Sequence, residues 1–373
     1  MSPTVLVFLA SGLFLGWSLG ANDAANVFGT AVGSRMVRFR TAAAVGAVFV
    51  VLGAVFGGAA ATEGLGKLGE VSALPGAFVV ALAAATALYA MTRLGLPVSA
   101  TQAIVGGILG WNLYSGTPTD LAVLARIAST WVACPILGAL FALALYAVTA
   151  RLIRRAKPHM VRLDRWTRAG LLAAGALGAC ALGANNIGNV MGVFVPACPF
   201  GDLALGNAFV LTGTQQLFLL GGAAIAAGVF FSRNVMLTVG RNLMPVSPVG
   251  AWVVVVAHSL VLFVFSSREL QQFLVSLGLP RIPLVPVSSS QAVVGALIGV
   301  GLARGLRGAR QVRWTVLGRI AVGWVVTPLL AAALSLGLLF VAHNVFRQEV
   351  FRTTPPGAGH AAFPRDGALS LRP

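Results

Sequence analysis

The strongest constraint on the fold is a series of ten apolar runs that contain no Asp, Glu, Lys or Arg. The runs occupy residues 1–22, 41–62, 71–92, 94–119, 127–150, 169–201, 203–232, 242–267, 282–303 and 320–346. Because about 20 apolar residues in a helix cross the roughly 30 Å of bilayer hydrocarbon, each run is long enough for one crossing. The sequence therefore predicts an all-α polytopic membrane protein with 10–12 membrane helices.

The composition excludes the main soluble alternatives. Only 9% of the residues are charged, whereas an ordinary soluble domain has about 25%. The net charge is +17, but 58% of the residues are hydrophobic, which is far too many for a nucleic-acid-binding protein. The three cysteines, Cys134, Cys180 and Cys198, lie in or beside apolar runs and are interpreted as packing residues. A soluble enzyme, a disordered chain and a nucleic-acid partner are all excluded.

The basic residues predict the orientation in the membrane. If every run crosses once, 18 of the 26 Lys and Arg residues fall on one side, mainly in loops 35–40, 151–168 and 304–319. Loops rich in Lys and Arg stay in the cytoplasm, so both termini are expected on the non-cytoplasmic side of the cell membrane. The basic loops are expected to contact anionic lipid.

Two motifs occur twice in the chain, in the same order. Residues 20–29 read Gly-Ala-Asn-Asp-Ala-Ala-Asn-Val-Phe-Gly, and residues 183–192 read Gly-Ala-Asn-Asn-Ile-Gly-Asn-Val-Met-Gly. Residues 97–102 read Pro-Val-Ser-Ala-Thr-Gln, and residues 286–291 read Pro-Val-Ser-Ser-Ser-Gln. A weaker third pair, Trp-Val-Ala-Cys-Pro ending at Pro135 and Trp-Val-Val-Thr-Pro ending at Pro328, follows in register. The three pairs indicate an internal duplication.

The two copies are expected to have opposite topology. Five crossings per copy is an odd number, and the loops after equivalent motifs carry opposite charge bias. Inverted repeats are a transporter architecture in which broken helices or re-entrant hairpins meet at a midplane site. The expected organisation is a first repeat over 1–150, a basic cytoplasmic linker over 151–168, a second repeat over 169–346 and a C-terminal tail over 347–373.

The Gly-Ala-Asn motifs are candidate cation sites. Asp23 is the only carboxylate inside a span, and an intramembrane charge indicates a functional site. Its expected partner is a bound cation or a proton. The amide side chains of the motifs would add oxygen ligands; they belong to Asn22, Asn26, Asn185, Asn186 and Asn189. We expect the glycines and alanines to let the backbone unwind there. The alternative is a helix-packing motif of small residues.

The Pro-Val-Ser motifs are candidate helix starts. Pro followed by hydroxyl residues and then an apolar stretch is typical of a helix N-terminus, which offers free N–H groups to an anion. The polar side chains of the two motifs are Ser99, Thr101, Gln102, Ser288, Ser290 and Gln291. Two such starts entering from opposite faces would form an anion cradle without Lys or Arg. The alternative is ordinary N-capping. His258, alone in its span, is interpreted as structural.

At these motifs the sequence resembles the inorganic phosphate transporter (PiT) family over most of residues 11–346. The resemblance implies secondary active import of phosphate, coupled to Na⁺ or in some members to H⁺, without any other cofactor. It also implies a cation site, with Na⁺ at Asp23, Asn26, Asn186 and Asn189. The remaining motif residues would bind phosphate; they are Asn22, Ser99, Thr101, Gln102, Asn185, Ser288, Ser290 and Gln291.

Three positions, in two kinds of departure, differ from the family pattern. Asn186 stands where the family usually has Asp, and Gln102 and Gln291 stand where His is common. With one carboxylate fewer, a sulfate or other tetrahedral oxyanion permease of the same fold is an alternative to a phosphate transporter. A passive channel is weakly excluded, and no nucleophile–base pair or metal cluster suggests an intramembrane enzyme. Gly-x-x-x-Gly faces leave a homodimer open.

Overall fold

The computed structural model describes residues 3–69, 71–205 and 209–352, and it consists almost entirely of helices. In chain order, the helices of the first half are α1 (Pro3–Gly33), α2 (Phe39–Gly57), α3 (Ala59–Gly66), α4 (Leu74–Arg93), α5 (Ala100–Ser115) and α6 (Leu121–Ala156). The helices of the second half are α7 (Met160–Met191), α8 (Gly213–Val229), α9 (Arg233–Leu237), α10 (Pro248–Ser266), α11 (Arg268–Ser276), α12 (Ser289–Ala303), α13 (Gly305–Ala309) and α14 (Trp314–Asn344).

Short irregular elements complete the second half. A 3₁₀ segment, Gly192–Ala197, extends α7, and a π-helical turn, Thr238–Asn242, extends α9. Between α7 and α8 lies a two-stranded antiparallel hairpin of β1 (Leu203–Leu205) and β2 (Phe209–Leu211), in which Ala204 pairs with Val210. The 3₁₀ segment and the π-helical turn contribute buried residues to the helix packing, and none of these elements alters the all-α fold that the sequence predicts.

Each of the ten apolar runs contains one principal helix. Seven helical segments, those of α1, α2, α4, α6, α7, α10 and α14, are long and apolar enough to cross a membrane. An eighth span is broken: α8 and Arg233–Asn242 meet at an angle of 62°. The other two, α5 and α12, have only 16 and 15 residues, which makes them about 23–24 Å long at 1.5 Å per residue. The predicted single crossings over 94–119 and 282–303 are therefore short helices that follow extended chain.

The breaks in the helices do not all lie where the sequence analysis expected. The Gly-Ala-Asn motifs are continuous helix, inside α1 and α7, so the expected unwinding there is wrong. Their glycines serve close packing: a Cβ on Gly20 would overlap the carbonyl oxygen of Ile225, and one on Gly183 would overlap that of Val50. The non-helical chain lies instead at 96–99 and 279–288, around Pro97 and Pro286. Proline contributes to this break because the residue before it disfavours the helical conformation.

The packing of the helices is doubled. α1 packs against α4 and α8, and α7 packs in the same way against α10 and α2. Likewise α5 packs against α14, and α12 packs against α6. One glycine of each short helix meets a kink proline of its partner: Gly106 lies against the carbonyl of Pro328, and Gly295 lies against that of Pro135. Equivalent helices therefore make equivalent contacts across the two halves, as expected for inverted repeats.

Two predicted segments between and after the repeats are more ordered than loops. The linker 151–168 is helical except at 157–159, where α6 gives way to α7. After α14, the chain folds back so that Val350 is only 1% exposed, and its carbonyl accepts a hydrogen bond from Trp111 Nε1 at 3.1 Å. The rest of the predicted tail, 353–373, lies outside the described residues.

The short-helix contact gives a stability prediction. Gly295→Ala should lower the free energy of unfolding by about 1–3 kcal/mol, because a Cβ there overlaps the Pro135 carbonyl and overpacking has costs of that size. Gly337→Ala in α14 is the matched control, since a Cβ at that position meets no atom within 4 Å. Thermal unfolding of the detergent-solubilised protein measures both. Equal midpoints for the two variants would contradict the tight contact.

Candidate functional site

All twelve candidate residues are buried in the described structure. Asn22, Asp23, Asn26, Asn185, Asn186 and Asn189 come from α1 and α7, and Ser99, Thr101, Gln102, Ser288, Ser290 and Gln291 come from the starts of α5 and α12; none is more than 3% exposed. Because burying a polar group without a partner is unfavourable, the hydrogen bonds of this set show what each side chain does.

One asparagine from each repeat holds an extended segment in place. Asn22 Oδ1 accepts from the backbone N–H of Val98 at 3.1 Å, while its Nδ2 donates to the Leu96 carbonyl at 3.0 Å. Asn185 makes the equivalent pair with Val287, accepting from its N–H and donating to its carbonyl at 2.9 Å each. The two amides replace the hydrogen bonds that a helix would have supplied. Both side chains are therefore engaged with the main chain just before α5 and α12.

The serines at the two helix starts are N-caps. Ser99 Oγ accepts from the N–H of Gln102, and Ser288 Oγ accepts from the N–H of Gln291, both at 3.3 Å. Capping was the alternative interpretation of these residues, and the structure shows it in both copies. Since capping satisfies only part of the first turn, other N–H groups at each helix start still point away from their helix.

The remaining amides link the two repeats. Asn189 of α7 donates to Thr101 Oγ1 at 3.0 Å and to Asn186 Oδ1 at 2.8 Å. Asn26 of α1 donates to Ser289 Oγ at 3.1 Å and to Asp23 Oδ1 at 3.4 Å. The four predicted cation ligands thus form two pairs, one in each repeat. Each pair is bonded to the helix start of the other repeat.

Four buried oxygen atoms in these pairs and helix starts have no hydrogen-bond partner. They are Asn26 Oδ1, Asn189 Oδ1, Gln102 Oε1 and Gln291 Oε1, and they form two sets of repeat-equivalent positions. An unsatisfied buried acceptor lowers stability by about 1–3 kcal/mol. The two repeats therefore carry the same unfavourable free energy at equivalent positions. Hard oxygen donors of this kind suit a cation such as Na⁺ better than a transition metal. Among the described residues, no group of three His, Cys, Asp or Glu side chains could hold a metal ion.

Comparison with known proteins identifies the family. Residues 19–169 and 156–335 match the profile of the phosphate transporter family. The chain belongs to the phosphate transporter family. It is therefore a multi-pass membrane protein of phosphate transport and not an enzyme.

Individual relatives cover nearly the whole chain. A protein of Pyrococcus furiosus provisionally named a phosphate permease is 26% identical over 91% of this chain and 96% of its own length. The inorganic phosphate transporter 2-1 of Arabidopsis thaliana, a chloroplastic protein, is 26% identical over 90% of this chain and 71% of its own length. A solved structure titled "The sodium-dependent phosphate transporter" superposes with a TM-score of 0.70, covering 91% of this chain and 99% of that one at 23% identity. The last comparison confirms the fold.

The structure of this phosphate transporter family member adds two residues to the site. His258 of α10 is fully buried, and its Nε2 lies 2.9 Å from Ser289 Oγ, the same atom that accepts from Asn26. From the sequence, His258 is predicted to be structural, and Ser289 is not among the candidate residues. The one available signal was a third consecutive serine where the first copy has Ala100. Asp23, Asn26, Ser289 and His258 form one polar chain that the second cation pair lacks.

This chain of side chains predicts a coupled loss of stability. Ser289→Ala should lower the free energy of unfolding by about 1–3 kcal/mol, since it removes the partner of Asn26 and of His258. The loss should be smaller in a His258→Ala background, where Ser289→Ala removes only the partner of Asn26, because residues that share one hydrogen-bond network are not additive. A double-mutant cycle by thermal unfolding measures the coupling. Strictly additive losses would show that the two side chains do not interact.

Proposed function

We propose that this protein imports inorganic phosphate across the cell membrane together with Na⁺, with H⁺ as the alternative coupling ion. The observation that carries the proposal is the doubled set of buried, unpartnered oxygens beside two helix starts. A transporter that moves a cation and an anion together needs both kinds of binding group in one place.

The cation is assigned to the amide and carboxylate pairs. Asp23 with Asn26, and Asn186 with Asn189, each combine an acceptor already used within the pair with one Asn oxygen left free. Asp23 supplies a negative charge to the first pair only. The first pair is therefore the stronger cation position and the second the weaker one, because charge attraction is large where water is excluded.

The anion is assigned to the starts of α5 and α12. Free N–H groups and the positive end of the helix dipole favour a phosphate group there, and Thr101, Ser290 and the two glutamines line the same first turns. Neither motif, 97–110 nor 286–299, contains Lys or Arg. We assign Asn22 and Asn185 the task of holding these helix starts in position, because their amides bind the main chain.

The orientation of the transporter in the membrane is inferred from the charge bias of the loops. The side that has 18 of the basic residues is placed in the cytoplasm, and both termini are placed outside. Movement of one repeat against the other around the site would expose it alternately to the two sides. The organisation into repeats over 1–150 and 169–346 is part of this proposal.

The presence of Asn186 in place of a carboxylate leaves one alternative substrate, sulfate. Phosphate carries a titratable proton that a carboxylate can accept, whereas sulfate carries none, and this chain has one carboxylate at the site where the family pattern has two. A sulfate permease of the same fold is the second candidate. Competition between the two anions separates them.

The role of Asp23 gives a sharp prediction. Asp23→Asn keeps the size and the acceptor for Asn26, but it removes the one carboxylate among the twelve described candidate residues. Coupled phosphate uptake should fall at least about 100-fold, since losing an ionic attraction at an effective dielectric constant near 20 costs on the order of 3–4 kcal/mol. Asp120→Asn is the matched control: Asp120 is an exposed N-cap of α6, and Asn caps equally well. Uptake by Asp23→Asn at the rate of the control would refute the assignment.

Uptake into proteoliposomes tests the function itself. The purified chain should accumulate labelled phosphate when an inward Na⁺ gradient is imposed, and an excess of unlabelled sulfate should leave the initial rate unchanged. A separate inward H⁺ gradient at constant Na⁺ identifies the alternative coupling ion. Accumulation that follows neither gradient would refute coupled transport, and uptake suppressed by sulfate would favour the sulfate permease.

A further inference from the structure

A cavity of about 580 Å³ lies at the outer end of the extended segment that leads to α12. We call it the basic vestibule and define it by its polar lining, Lys67, Arg126, Gln271 and Arg281, with Ile282 and Val285 along the segment. It is separate from the buried polar site, and none of the twelve candidate residues lines it.

Three different elements bring cations to the basic vestibule. Lys67 follows α3, Arg126 lies near the start of α6, and Arg281 lies in the extended segment after α11. All three side chains are exposed, and none is within 4.0 Å of a carboxylate on any side chain that the structure describes. Glu63 and Glu70 neighbour Lys67 in the sequence, and their side chains lie outside that description. A cleft lined with one sign of charge between low-dielectric walls concentrates counter-ions, here anions.

The basic vestibule lies close, along the chain, to the proposed anion cradle. Val285 forms part of its lining, and the N-cap Ser288 is three residues further on, which is at most about 10 Å of extended chain. Two side chains fix this segment: Gln271 Nε2 donates to the Ile282 carbonyl at 2.5 Å, and Asn185 pairs with Val287. An anion in the vestibule is therefore one short, rigid segment away from the helix start.

The equivalent place in the first repeat has a different character. There a cavity of about 380 Å³ is lined by Thr92 and Arg93, at the end of α4 just before the segment that leads to α5, and by Trp17, Tyr89 and Phe231. Its one cation, Arg93, donates to Tyr89 Oη at 3.2 Å and lies 5.8 Å from the centre of that ring. The two ends of the molecule thus differ: one cavity has three cations, and the other has a single cation held by an aromatic ring.

We propose that the basic vestibule is a second anion-binding site, where inorganic phosphate is captured before it enters the buried cradle. The identity of the anion and the placement of this cavity on the outer side rest on the proposed function; the attraction for anions rests on the vestibule alone. Binding there is electrostatic and weak, and it raises the local phosphate concentration at the mouth of the pathway. The aromatic cavity at the opposite end has no such function.

The transport test removes two cations and keeps the hydrogen-bonding capacity. For the double variant Arg126→Gln/Arg281→Gln in proteoliposomes, the KM for labelled phosphate should rise about fivefold or more, while the maximal rate stays within about twofold of the wild-type rate. The reason is that electrostatic capture affects how often phosphate reaches the site and not how fast it is then translocated. Raising the ionic strength should raise the KM of the wild-type protein and have little effect on the variant. Arg93→Gln in the aromatic cavity is the matched control and should leave the KM unchanged. An unchanged KM and an unchanged salt dependence in the double variant would overturn the proposal.

A second measurement does not depend on transport. Ile282→Cys places a thiol in the vestibule. We follow the rate at which this thiol reacts with two methanethiosulfonates, one that bears a sulfonate and one that bears a trimethylammonium group. The reaction of the native cysteines, measured in the wild-type protein, is subtracted. The ratio of the anionic reagent's reaction rate to the cationic reagent's should be about tenfold higher at this thiol than at a small thiol in solution. Millimolar inorganic phosphate should slow both reactions more than chloride does at equal ionic strength. Adding Arg126→Gln/Arg281→Gln should abolish that preference.

The two measurements separate the proposals. If the wild-type protein accumulates no phosphate but the anionic reagent is preferred, the proposed function fails and the vestibule stands as an anion site. If phosphate is transported and the reagents show no preference, the vestibule proposal fails alone. Where the double variant does not fold, the reagent preference and phosphate protection in Ile282→Cys decide the question by themselves.

Discussion

The structure depends on how it satisfies non-helical main chain inside a membrane. No water is available in the hydrocarbon to pair exposed N–H and C=O groups, so an extended segment there must find its partners within the protein. Asn22 and Asn185 provide those partners for the segments before α5 and α12. Because the two segments are held open, two helices can begin in the protein interior and expose their first turns to a ligand. Everything proposed for the anion follows from this one arrangement.

Duplication gives the site its symmetry, and the departures from symmetry indicate the division of labour. The paired amides, the N-caps and the unpartnered oxygens all occur twice. Asp23, Ser289 and His258 occur once, and hydrogen bonds through Asn26 connect them on one side of the site. The opposite pair has Asn186 and reaches Thr101 instead. The negative charge and the imidazole thus lie on one side of the site, although they come from different halves of the chain.

The sequence predicted the membrane helices and the grouping of the polar motifs well, because both can be recognised from the order of residues along the chain. Charge-free length determines where helices cross, and repetition reveals which segments are equivalent. Helix continuity at Gly20 and Gly183 was not predictable, because it depends on close contact with Ile225 and Val50 from distant parts of the chain. The contact between His258 and Ser289 likewise joins residues from two helices, and neither residue type alone indicates it.

Electrostatics explains why the two proposed ligands must travel together. The cradle motifs contain no Lys or Arg, so among the described residues the positive ends of two helix dipoles, each about half a charge, are all that offsets the charge of a buried phosphate. Asp23 adds a further negative charge to the same interior. Burying uncompensated charge is far too costly for a phosphate and an ionised Asp23 to share the site alone. A cation at the unpartnered oxygens of Asn26 and Asn189 lowers that cost, and the phosphate in turn favours the cation. The proposed coupling would therefore arise from charge balance, in a site that is unfavourable for either ion alone.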